Sequence, residues 1–172
     1  MSSFAFSACG SKPAPAPTPT PAPRVLEMKA EDKPIVKLIP RSDGHLLKLV
    51  IDKIPSYVKQ IEYELLYIAT DNGNIEIEKG LGDTLKVDSS TLSRDLLLGT
   101  ESCTSGCKYK YDNGVSAGTI SLTLITDNNQ VASYQAPFSL QTGQQIKKDK
   151  GKYYVSLKDM RDNDVLFSSS EF

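Results

Sequence analysis

Hydrophobic and polar residues alternate with a period of two along most of this chain, not with the 3.6 of a helix. "TISLTLI" puts Ile120, Leu122 and Leu124 on one face and Thr119, Ser121 and Thr123 on the other. "QIEYELLYI" sets Ile61, Tyr63, Leu65 and Tyr67 against Glu62 and Glu64. Leu66 and Ile68 join the second face, so the far end of that strand is expected to be covered on both sides. "NIEIEK" sets Ile75 and Ile77 against Glu76 and Glu78. The glutamates form a charged solvent face, which discourages edge-to-edge aggregation.

Turn residues fall between these runs. Asn72-Gly73 in "TDNGN" suits a two-residue hairpin turn, where both residues need positive φ. Asn128-Asn129 in "TDNNQ" marks a second turn and "YDNGV" (111–115) a third break. "KDMRDND" divides "KYYVSL" from "VLFSS". The expected strands are 35–39, 45–54, 60–69, 74–79, 84–88, 94–99, 107–111, 118–126, 130–141, 152–158 and 164–169. "SSTLSRDLLLG" could instead hold one helical turn capped by Ser89 or Ser90. Many short antiparallel strands with regular turns predict an all-β fold, a β-sandwich or barrel, and the sandwich is preferred.

Composition adds a second region. Six of the ten prolines fall at alternate positions from Pro13 to Pro23. Each proline fixes φ and extends its neighbour, so residues 12 to 24 predict a polyproline-II-like spacer of about 40 Å. The expected organisation is a short leader at 1–8, a linker at 9–32 and a β domain at 33–172. Charge is balanced, with 20 Lys and Arg against 21 Asp and Glu in 172 residues. That balance lacks the positive field of a nucleic-acid binder. The longest apolar region, "LLKLVIDKI", is interrupted by charge and falls short of the roughly 18–20 residues of a spanning helix.

The three cysteines divide into Cys9 and the close pair Cys103 and Cys107. If Thr104-Ser105-Gly106 is a three-residue hairpin loop, Gly106 takes its left-handed position and the two cysteines face one another. Directly opposed strand residues lie about 4.5–5.5 Å apart, which is bridging distance. A disulfide is therefore expected, and it implies an oxidising compartment. Two free thiols and a metal site are the alternatives. Structural zinc wants four ligands, whereas this CxxxC has one distant histidine, His45, and no second cysteine pair.

"FSAC" (Phe6 to Cys9) resembles a bacterial lipobox. The resemblance implies cleavage before Cys9, with diacylglycerol on its thiol. Residues 1–8 are then the remnant of a truncated signal peptide, since an export signal needs a basic start and a longer apolar stretch. The first 110 or so residues of the β domain resemble an immunoglobulin-like or fibronectin type III-like module by pattern. Tryptophan is absent and no cysteine pair is spaced to bridge two sheets, so no functional residue carries over from those families.

Candidate chemistry is sparse. His45 has no serine elbow beside it and reads as a solvated turn residue. The glutamate pairs are simpler as a solvent face than as acid-base groups. Asp71, Asp83, Asp127 and Asp162 do not follow the spacing of a calcium loop, although a single Ca²⁺ at a sandwich loop stays open. No glycine-rich phosphate loop occurs. Two patches form the candidate binding surface. "KYKY" puts Tyr109 and Tyr111 on one face, where they could stack on sugars or simply pack across strands. "KKDKGK", with Lys148 and Lys150, could touch anionic wall polymer or lipid headgroups.

The expected function is a non-enzymatic, lipid-anchored envelope protein that displays a binding or structural β-sandwich, without cofactor or metal. Its expected partners are the membrane and a wall polymer, a glycan or another envelope protein. An exported carbohydrate-binding or enzyme-accessory module and a cytosolic β domain are the other hypotheses.

Overall fold

The computed structural model describes residues 24–71 and 75–172. Among them the strands are β1 Arg24–Val25, β2 Ile35–Pro40, β3 Leu46–Asp52, β4 Val58–Thr70, β5 Glu76–Lys86, β6 Thr91–Leu97, β7 Gly99–Cys103, β8 Cys107–Tyr111, β9 Ala117–Thr126, β10 Gln130–Thr142, β11 Tyr153–Lys158 and β12 Asp164–Ser168. Short 3-10 turns lie at Ala30–Asp32 and Ser169–Glu171. The large sheet runs β12-β11-β10-β9-β4-β5, with β1 added parallel to β10. A second sheet runs β2-β3-β6, and β7-β8 form a separate ribbon. The fold is all-β, built from antiparallel sheets.

The period-two pattern places the core. Ile120, Leu122 and Leu124 of β9 and Ile61 and Leu65 of β4 are buried, as expected. They meet Val36 and Leu38 of β2, Leu47, Leu49 and Ile51 of β3, and Leu96 of β6 in one hydrophobic cluster. Both sheets thus share a single core, as sandwich layers do. Beside it, β2 runs close to β11 and β12 and closes that flank. The chain alternates between the sheets: β2–β3, then β4–β5 across, β6 back, and β9–β10 across again.

Several expectations change. The strands at 74–79 and 84–88 are one strand, β5, paired along β4 without interruption. Gly80 and Gly82 fall in the expected gap, and they allow close approach of the two strands. A Cβ at Gly80 would lie 2.7 Å from Leu66 Cδ2, and one at Gly82 would lie 2.6 Å from the Tyr63 carbonyl. The possible helical turn in "SSTLSRDLLLG" is the strand β6, because Leu92 and Leu96 pair with Ile51 and Leu47 of β3. The far end of β4 is not covered on both sides, since Ile68 is 36% exposed opposite Glu78. The chain joins the sandwich at Arg24, ahead of Lys33, and Leu26 and Met28 pack on the core.

The turns agree better. Asn129 has φ of 57° at the β9–β10 turn, which asparagine tolerates. Asp71 N–H donates to the Ile75 carbonyl at 2.9 Å, closing the β4–β5 hairpin around positions 72–74. Asn72-Gly73 itself lies outside the described residues, as do Cys9 and the proline run.

Candidate functional site

The β7-β8 ribbon rises from one end of the sandwich. Its register pairs Gly99 with Tyr111, Glu101 with Tyr109, and Cys103 with Cys107. Paired residues share a face, so one side carries Tyr111, Tyr109 and the cysteines. Ser102, Lys108, Thr100 and Lys110 occupy the other. The cysteine sulfurs lie 2.16 Å apart with Cα atoms at 4.1 Å, disulfide-bonding distance across the Thr104-Ser105-Gly106 loop. Gly106 has φ of 153°, a backbone that favours glycine, although wider than the left-handed helical value expected. At the base, Gly99 has φ of 155°, and a Cβ there would lie 2.3 Å from the Lys110 carbonyl. Only glycine lets the two strands meet there.

Long-range contacts hold the ribbon's foot. Leu98 N–H donates to the His45 carbonyl, and Asp112 N–H donates to the Leu98 carbonyl, both at 3.0 Å. The Asp112 side chain, 7% exposed, accepts from the Tyr67 hydroxyl at 2.8 Å and forms an ion pair with Lys79. Burial first, and then Asp112, push the Tyr67 phenol above its usual range, so it stays a donor. Thr70 N–H donates to the Asn113 carbonyl at 2.7 Å.

The tyrosine face is extended by residues from the β2–β3 turn. His45 stacks on Tyr111 with centroids 4.4 Å apart and planes 8° from parallel. Tyr109 continues the row 6.3 Å from Tyr111. Arg41 places its guanidinium 6.0 Å from the Tyr111 centroid, at the limit of a cation–π contact. Asp43 orders this turn by accepting from Arg41 Nε at 2.9 Å and His45 N–H at 3.1 Å. The bond from Arg41 holds the Asp43 carboxyl below its ordinary range. Glu101, opposite Tyr109, raises the Tyr109 phenol. Tyr109 and Tyr111 are 52% and 38% exposed, so the row is open to solvent. An aromatic face with a cation and carboxylates at its margin can stack on a flat apolar surface and bond to its polar rim.

His45 is therefore not a solvated turn residue. It lies half-buried on Tyr111, and neither it nor Arg41 was legible as a neighbour of "KYKY". The turn's "RSDGH" was the available signal, since its Asp43 and Gly44 make a tight loop that presents both side chains. Gly44 has φ of 72°, and a Cβ there would lie 2.5 Å from Tyr153 Cε1, so the β11 start packs against this same turn.

Lys148 and Lys150 lie in the β10–β11 loop, both exposed. The Lys148 ammonium sits 5.6 Å from the Tyr154 centroid, and Lys152 pairs with Asp149 at 3.0 Å. Among the described residues no hydrogen bond, ion pair or ring contact joins Lys148 or Lys150 to Tyr109 or Tyr111. Glu101, Cys103 and Cys107 form a cluster of metal-ligand types. Bridged sulfurs offer a metal no thiolate, which leaves Glu101 alone. Compared with protein-family models, curated proteins and solved structures, the chain matches none.

Proposed function

We propose that this protein is a non-enzymatic envelope display module, anchored by a lipid on Cys9 and presenting a binding surface at the far end of its sandwich. One observation carries the reading. Arg24 and Val25 pair with Gln130 and Val131, so the chain enters beside the β9–β10 turn. The ribbon, the β2–β3 turn and the β10–β11 loop lie at the other end of β10. That strand has 13 residues, which separates the two ends by about 40 Å. An anchor at one end and an open aromatic row at the other is the layout a displayed binding domain needs. The alternation of β2–β3, β4–β5, β6 and β9–β10 between sheets supports the immunoglobulin-like or fibronectin type III-like reading, extended here by β11 and β12. The cysteine pair supports an oxidising compartment.

The intact mass of native protein, extracted in detergent without reductant, tests this reading. A chain beginning at Cys9 with added acyl mass and the mass of one disulfide is expected. An unmodified chain with free thiols overturns the anchor and the location together. The open row of Tyr109, Tyr111 and His45 favours a glycan-binding role over a purely structural one. Tryptophan is absent, so the protein's emission comes from its eight tyrosines, Tyr109 and Tyr111 of the row among them. Oligosaccharide should change that fluorescence, and Tyr109→Ala with Tyr111→Ala should abolish the change.

A further inference from the structure

β5 is a free edge of the large sheet, and about Leu81 its sequence is nearly symmetric in size and complementary in charge. "EIEKGLGDTLK" reads acid, Ile, Glu, base, Gly from one end, and base, Leu, Thr, acid, Gly from the other. We propose that two copies of this chain associate by antiparallel pairing of β5 with β5 about a two-fold axis at Leu81. The two large sheets then become one continuous sheet. This surface is distinct from the tyrosine row and needs no assumption about anchoring.

Backbone parity permits this register. Asp71 N–H donates to Ile75, and Val87 N–H to Lys59, so odd residues of β5 direct their backbone groups toward β4. Even residues from Glu76 to Lys86 direct theirs outward. Thr84 agrees, since its N–H is not in the ladder and takes its own neighbour Asp83 Oδ1 at 2.8 Å. An axis at Leu81 pairs even residues with even residues, so the outward N–H and C=O groups meet those of the second copy. A one-residue slip would pair outward groups with inward ones and lose the ladder.

Side chains select among the allowed registers. With the axis at Leu81, Glu76 faces Lys86 of the second copy, and Lys79 faces Asp83. Ile77 faces Leu85, and Leu81 faces itself. Gly80 faces Gly82, which leaves the centre of the outer face free of side chains. Moving the axis to Gly82 instead sets Glu76 against Asp88, Lys79 against Leu85, and Asp83 against Leu81. Moving it to Gly80 sets Ile77 against Asp83 and Lys79 against Leu81. Opposite charges directly across strands stabilise and like charges destabilise, so the first register wins. The edge charges thereby exclude misaligned aggregation while allowing one symmetric partner.

The inner-face charges are already oriented. Lys79 pairs with Asp112, and Asp83 with Arg94 at 2.9 Å. The association would join them as Asp112–Lys79–Asp83–Arg94, alternating in sign across the two copies. Among the described residues Glu76 and Lys86 have no ion-pair partner within their own chain.

Charge exchange tests the pairing. Sedimentation equilibrium of the full chain, from about 1 µM to about 500 µM, should show a monomer–dimer equilibrium. Glu76→Lys alone and Lys86→Glu alone should each weaken it by about tenfold or more, because each sets like charges opposite one another twice. Mixing these two variants should restore a dimer containing one of each, since every pair is then attractive. The double exchange in one chain should restore the homodimer. Both positions are exposed, so folding is not at stake. A monomer throughout the range overturns the proposal. So does a dimer indifferent to either single variant, which would mean another interface.

Discussion

Asp112 concentrates more of the molecule's polar contacts than any neighbour in the ribbon. Its side chain ties β4 through Tyr67 and β5 through Lys79, and its backbone ties the end of β6 through Leu98. Removing a largely buried carboxylate leaves a hydroxyl and an ammonium without partners. Asp112→Ala should therefore cost about 2–4 kcal/mol, read from urea denaturation. A loss under about 0.5 kcal/mol would show that water replaces it freely. Asp43 makes a pH-dependent contribution of known sign. Its carboxyl is held below its ordinary range in the folded protein, chiefly by the bond from Arg41. Such a group adds stability above its unfolded pKa and loses it as pH falls through the folded value. The contact between the His45 and Tyr111 rings should be intact at neutral pH and weaken below about pH 4. Nuclear Overhauser effects between the rings measure this, and Asp43→Asn should remove the loss below about pH 4. An unchanged contact down to about pH 2 would show that Asp43 does not order the turn.

Among elements, the ribbon and β5 show opposite relations to the core. The ribbon puts no side chain into the main cluster, and every residue of β8 is exposed. Its order depends on the foot contacts and on the cysteine bridge at its tip. That bridge closes a short loop, with a sequence separation of 4. The chain-entropy estimate for such a loop is about 2 kcal/mol. Replacing both cysteines by serine should cost no more than that. Hydrogen exchange should quicken at ribbon amides while core amides of β4 and β9 keep their protection. Equal quickening in the core would mean that the ribbon folds as one unit with the sandwich. β5 is the harder element to read. The gap expected between strands 74–79 and 84–88 holds Gly80 and Gly82, yet β4 residues Gln60 to Thr70 pair with the whole of β5 without interruption. Glycine in a strand marks either a bend or a close approach, and only the partner strand distinguishes them.

At the scale of the whole molecule, the sandwich has two unlike ends. One receives the chain at Arg24, beside the β9–β10 turn. The other gathers the ribbon, the β2–β3 turn and the start of β11. The free edge of β5 lies along the side between them, so association through it would leave the aromatic row uncovered. Strands, most turns and the facing of Cys103 and Cys107 were legible in the chain, because a period of two and turn chemistry are local properties. "CTSGC" carries its own geometry within five residues. Contacts across the chain had no such signal. Tyr67 meets Asp112 across 45 positions, and Arg161 donates to the Lys33 carbonyl across 128. His45 joins Tyr111 only because β3 and β6 pair and the ribbon begins where they end. Local pattern sets which segments are strands and which face each residue takes. The packing of two sheets decides which segments become neighbours, which edge stays open, and which end of the sandwich carries the site, because those depend on burying one shared core.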